Sequence, residues 1–126
     1  MNYNDLIGTK YKVHGRNKNE GFDCYGLAIE VLKRNGIKLT DVFYEKDSDF
    51  ERARNEILPK IQCEKVEKPR VNSLIEITCY GLPSHIGVYI GNGQMIHATE
   101  KSGVCIVPYH LYKNRVRGIY VINSRL

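Results

Sequence analysis

Cys24, His85 and His97 stand out as a thiol and two imidazoles placed where they can act on one another. Cys24 follows Asp23, a good N-cap, and precedes an apolar repeat at Leu27, Ala28, Val31 and Leu32, which places it in the first turn of a helix. Unpaired backbone N–H groups and the helix dipole favour negative charge there, which lowers a thiol's pKa. Position alone leaves a second reading open, because most free cysteines are small buried apolar residues. His85 opens the segment HIGVYIG and His97 lies in QMIHA, across the GNG turn at 91–93. Strands paired symmetrically about Asn92 set His97 opposite Gly87, one two-residue step from His85. Same-face residues on that diagonal are within side-chain reach. Taken singly, each histidine reads as a satisfied, partly buried polar residue. Together with a helix-start cysteine they form the constellation of a thiol peptidase.

These three side chains need a helix and a hairpin to position them. The first predicted helix runs from the Asp23 cap to a stop at Gly36, with Lys33 and Arg34 near its C-terminal end. A second is predicted from about residue 48 to 58, with Ser48 and Glu51 as a capping box and Pro59 ending it. The polar run HGRNKNEG at 14–21 reads as a loop, and 60–72, which carries Pro69, as an irregular connection. From residue 73 the period becomes that of strands: 73–80, 86–90, 94–98, 105–107 and 118–122, with a helical turn near 109–112. Helices first and an antiparallel meander second argue for an α+β domain.

The remaining features bound the function. The chain has 126 residues, 42% of them hydrophobic and 26% charged, which suits a single folded domain over 1–126. No apolar run approaches the ~20 residues that a membrane span needs. The N-terminal residues lack a basic start followed by an apolar stretch, so synthesis in a cytoplasm without a secretory signal is expected. Lys+Arg number 19 against 14 Asp+Glu, a formal charge of +5, but the basic residues are scattered and read as a solvated surface. No aromatic-basic motif supports a nucleic-acid partner. The four cysteines at 24, 63, 79 and 105 include no close pair, so neither a metal site nor another cofactor is expected, and reduced thiols are the default.

The segments GFDCYGLAIEVLKRNGI and HIGVYIGNGQMIHA, in this order and spacing, resemble the NlpC/P60 cell-wall cysteine peptidases. The resemblance covers nearly the whole chain, from about Leu6 to Tyr120. It implies a papain-like fold, with N-terminal helices packed on a C-terminal antiparallel sheet. It also implies Cys24 as nucleophile, His85 as base and His97 as the third, orienting residue. The implied substrate is a peptidoglycan stem peptide, cut between γ-D-glutamate and a diamino acid. GTKYKVHG at 8–15 is similar to the family's leading segment and sets Tyr11 beside the nucleophile. Asp23 and Tyr25 then stand where the family's Asp and Ser help to read the peptide's amino terminus. Tyr25 in place of Ser matches phage and prophage members, and a ring directed into the groove would rebuild that subsite. Such a protein would reach the wall through a phage particle, a lysis system or a wall-targeting partner. The alternatives are a non-catalytic or structural tail component, and a thiol amidase or acyltransferase on the same scaffold.

Overall fold

Asp23 caps the first helix by accepting a hydrogen bond from the Gly26 N–H, and α1 runs over Cys24–Arg34. Its stripe of Leu27, Ala28, Val31 and Leu32 is at most 1% exposed, as the spacing predicts. Lys33 and Arg34 fill the last turn, and Gly36, at φ +76°, turns the chain away. These features come from a computed structural model, which describes residues 2–79 and 82–126 and leaves out the side chains of Ser48, Cys79, Leu82 and Pro83. Tyr80, the expected end of the first long strand, lies outside the described residues.

The second helix, α2 (Phe50–Ile57), lies between 3₁₀ turns at Asp47–Asp49 and Leu58–Lys60. Pro59 ends the α-helical ladder but is accommodated at the start of the second turn, where its missing N–H costs nothing. The Ser48 half of the expected capping box lies outside the described side chains.

The expected 14–21 loop is in fact a small hairpin, β1 (Arg16–Asn17) against β2 (Gly21–Phe22). The remaining strands form one antiparallel sheet: β3 (Cys63–Val66), β4 (Leu74–Cys79), β5 (Leu82–Gly91), β6 (Gln94–Thr99), β7 (Gly103–Pro108) and β8 (Val116–Ile122). Two expectations need correction. Residues 63–66 are a strand, not irregular chain. The sheet is also not a simple meander: its order is β3-β8-β4-β5-β6-β7, so the last strand returns between β3 and β4. Short 3₁₀ turns at Tyr109–Leu111 and Lys113–Arg115 lead into it.

Both sheet faces are covered. Ile86, Val88, Ile96 and Ala98 pack with α1, while Ile75, Ile77, Met95 and Ile119 pack with Tyr112 on the other side. Two charged pairs bind α2 to the sheet: Arg54 grips the buried Glu76 of β4, and Arg117 of β8 donates to Glu51 at 3.0 Å.

Candidate active site

The β5–β6 hairpin turns at Asn92 and Gly93, both at positive φ, as a tight two-residue turn requires. Its register pairs Gly87 with His97, Val88 with Ile96 and Tyr89 with Met95, the pairing that symmetry about Asn92 predicts. Beyond Gly87 and His97 the ladder ends. His85 is one step further along β5, and its Nε2 lies 2.9 Å from His97 Nδ1. One of these two nitrogens donates and the other accepts. The Tyr112 ring closes on His97 edge-on, with centroids 5.4 Å apart.

The thiol arrives where the ladder has opened. Tyr89 donates its N–H to Ser73 on the β4 side, so by alternation the Ile86 N–H points towards β6, past the last ladder pair. The Cys24 sulfur lies against that N–H and against the Tyr25 N–H at the start of α1. Helix start and strand amide therefore meet at Ile86, the residue that follows His85 on β5. Cys24, His85 and His97 are 7%, 2% and 1% exposed, so the chemistry here is that of a largely dry site.

Dryness reverses the expected charge of the thiol. Burial pushes the Cys24 thiol up, and the negative charge of Asp23 adds to it; the Ile86 and Tyr25 amides only partly oppose this. Burial likewise lowers His85 to about 3, with the neighbouring His97 contributing, and lowers His97 to about 4. Both shifts favour the uncharged forms, a thiol at Cys24 and an imidazole at His85.

A cleft of about 510 Å³ opens over His85, lined also by Tyr11, Asp47, Thr99, Glu100 and Lys101. Tyr11 is held by a bridge to Phe22 and donates its hydroxyl to Asp47 at 2.7 Å. Burial raises the Asp47 carboxyl; the Tyr11 bond opposes this, and the charges of Asp23 and Glu100 add to it.

The other two expected substrate contacts are elsewhere. The Asp23 carboxylate, 1% exposed, accepts from the N–H groups of His14 and Gly26, from Arg16 and from the Tyr44 hydroxyl. A carboxylate has about four acceptor positions, so Asp23 has none left for a peptide's amine. Tyr25 does not point into the cleft. It is 4% exposed, donates to the Thr40 carbonyl at 2.6 Å and packs on Phe50, because its place in the first helical turn faces the chain that returns from α1. Arg16, Tyr44 and Asp47 were not picked out by sequence reasoning. Their partners lie 21 to 36 residues away for Tyr44 and Asp47, and no spacing rule joins them. Arg16 offered only its place in a polar loop seven residues before Asp23.

A helix start packed on a six-stranded antiparallel sheet that carries a histidine pair is a papain-like α+β arrangement. The chain belongs to the NlpC/P60 family, whose model matches residues 8–121. It is 30% identical over 109 residues to a gamma-DL-glutamyl hydrolase of Bacillus subtilis, covering 83% of this chain and 24% of that protein. It is 29% identical over 105 residues to the Escherichia coli murein DD-endopeptidase MepS/murein LD-carboxypeptidase, covering 82% of this chain and 50% of that one. The chain thus spans between a quarter and a half of these relatives. Among solved structures, the NlpC/p60 domain of the peptidoglycan hydrolase SagA superposes with a TM-score of 0.60 at 21% identity, covering 94% of this chain and 92% of that domain. An NlpC/P60 protein from Bacillus cereus gives 0.61 at 23% identity, covering 90% and 35%.

Proposed function

We propose that residues 1–126 act as a single cysteine peptidase domain on peptidoglycan stem peptides, with the bond between γ-D-glutamate and a diamino acid as the target. The observation that carries this reading is the Cys24 sulfur on the amide of Ile86, next to His85, which pairs with His97 at the end of the β5–β6 ladder. The names of the relatives, a glutamyl hydrolase and a murein endopeptidase, supply the substrate class.

The sequence of events follows from the uncharged forms of Cys24 and His85. As the substrate carbonyl reaches Cys24, the thiol proton passes to His85 while the sulfur attacks, so no buried thiolate has to wait for substrate. His97, held at 2.9 Å, orients the His85 ring and shares the positive charge that forms there. The Cys24 N–H, at the first position of α1, faces the developing oxyanion. His85 then returns the proton to the leaving amine, and water, activated by the same imidazole, releases the acyl group from sulfur. Tyr11, which lines the cleft, would contact the substrate, and Asp47 joins it as the hydroxyl's partner. Delivery to the wall by a phage particle or another wall-targeting partner rests on the sequence resemblance at Tyr25.

The test is digestion of purified peptidoglycan with mass spectrometry of the released peptides. Products ending in D-glutamate, absent with Cys24→Ala, are expected. Digestion that survives the loss of Cys24 would overturn the reading. So would an inert wild-type protein that still binds sacculi, the result expected of a structural tail component.

A further inference from the structure

Arg16 stands at the centre of the group that fixes the start of α1. Its Nη1 donates to Asp23 Oδ1 at 2.9 Å and to the Gly15 carbonyl at 3.0 Å. Its Nη2 donates to the Tyr44 hydroxyl at 3.0 Å, and its Nε donates to Asp41 at 3.0 Å. The guanidinium also lies over the Tyr44 ring, 5.4 Å from its centroid. The Arg16 side chain is 18% exposed and that of Asp23 only 1%, so water screens this pair weakly.

The charge that Arg16 meets on Asp23 also bears on the nucleophile. The titratable groups around the Cys24 sulfur and the neighbouring Ile86 amide come from several elements. Asp23 precedes Cys24, Asp47 approaches from the 3₁₀ turn before α2, Tyr11 approaches from the N-terminal segment, and His85 stands on β5. Burial keeps Tyr11 and His85 neutral near pH 7. The two carboxylates are thus the charges that oppose ionisation of the sulfur, with Asp23 the larger influence. Asp23 carries a cationic partner and Asp47 a neutral hydroxyl.

We propose that Arg16 is a positioning residue of the reaction: acting through Asp23, it limits the negative charge that the Cys24 sulfur faces and holds the 14–16 loop against the first turn of α1. Proton transfer from Cys24 to His85 passes through a negatively charged sulfur, and an unpaired carboxylate one residue away would oppose it. The inference rests on Cys24 as the nucleophile, but its test does not depend on peptidoglycan being the substrate.

The experiment measures the rate of Cys24 alkylation by iodoacetamide against pH, mapped by peptide, with Cys63 and Cys105 in the same sample reporting any general loosening. A carboxylate that loses its cationic partner opposes ionisation of a neighbouring thiol more strongly. Arg16→Met should therefore slow Cys24 alkylation severalfold at pH 8. Arg16→Lys, which keeps the charge without the fork, should recover most of that rate. Asp23→Asn should speed alkylation, and in its background Arg16→Met should have no further effect. Wild-type alkylation at every pH in folded Arg16→Met would overturn the proposal, as would equal slowing with and without Asp23. If Arg16→Met does not fold, Tyr44→Phe removes one donor from Asp23 and leaves Arg16 in place. It should slow Cys24 selectively, and an unchanged rate would overturn the proposal. A protein that digests no peptidoglycan yet shows these shifts would sink the proposed function and leave this inference standing.

Discussion

At the residue scale the controlling quantity is burial. An ordinary histidine would make kcat/KM fall below about pH 6.5. His85 is lowered to about 3 by its buried place, so its imidazole remains a base throughout the mildly acidic range. The acid side of the kcat/KM profile should therefore stay flat down to about pH 5; an inflection near 6.5 would show that His85 is solvated in the working enzyme. The histidines also divide their roles by geometry. His85 is on the cleft, while His97 reaches it only through the imidazole pair. His85→Ala should lose about 10²–10⁴-fold in kcat. His97→Asn, which can still accept or donate at that position, should keep measurable turnover. Equal inactivity of the two variants would contradict this division. The three motif residues were legible in the sequence because a cap, an apolar stripe and a symmetric turn are local signals. The thiol's charge state was not: the helix-start argument counts amides and omits the desolvation and the Asp23 charge that outweigh them.

At the element scale, α1 meets the 14–16 loop backbone to backbone. A methyl group on Gly26 would stand 1.9 Å from the Gly15 carbonyl oxygen, and neither is a flexible chain end. Gly26→Ala should consequently push the loop off the helix start, loosening Arg16 from Asp23. Thermal melting should show a loss of several degrees, and the Cys24 alkylation profile should move with it. A variant with wild-type melting would mean that the loop gives way freely. The stripe behind that contact is equally intolerant, and Leu32→Ala, at a fully buried position, should cost about 2–5 kcal/mol by denaturant titration. The helices and the β5–β6 hairpin were readable because their periods are strong and their caps local. β3 was not readable. It is a four-residue edge strand, half-exposed, and β8, far away in sequence, is its pairing partner.

At the scale of the molecule, two neutral buried histidines make the fold sensitive to acid. Above about pH 6.5 they are neutral whether the chain is folded or not. Below it the unfolded chain takes up protons that the folded site refuses until about pH 4 for His97 and 3 for His85, so stability falls across that window. The melting temperature should drop between pH 6.5 and 4.5, and with a shallower slope in His97→Asn than in the wild type. Parallel slopes would show that other groups dominate. Fold class and the order of Cys24, His85 and His97 were visible in the order of the motifs. The walls of the cleft were not, because Asp47 and Glu100 are brought together by the closure of the whole chain around the site.

The return of β8 into the interior of the sheet has a consequence for biosynthesis. Until residues 116–122 have left the ribosome, β3 lacks its neighbour and the second edge of β4 is open. Such an edge is a template for pairing with other chains. The α1 and β5–β6 segments that carry Cys24, His85 and His97 are made earlier, yet the sheet they rest on closes last. A nascent chain stalled before Val116 should therefore carry every proposed catalytic residue, have no peptidase activity and be prone to aggregate. Assembly of the sheet under the site is thus tied to synthesis of residues 116–122.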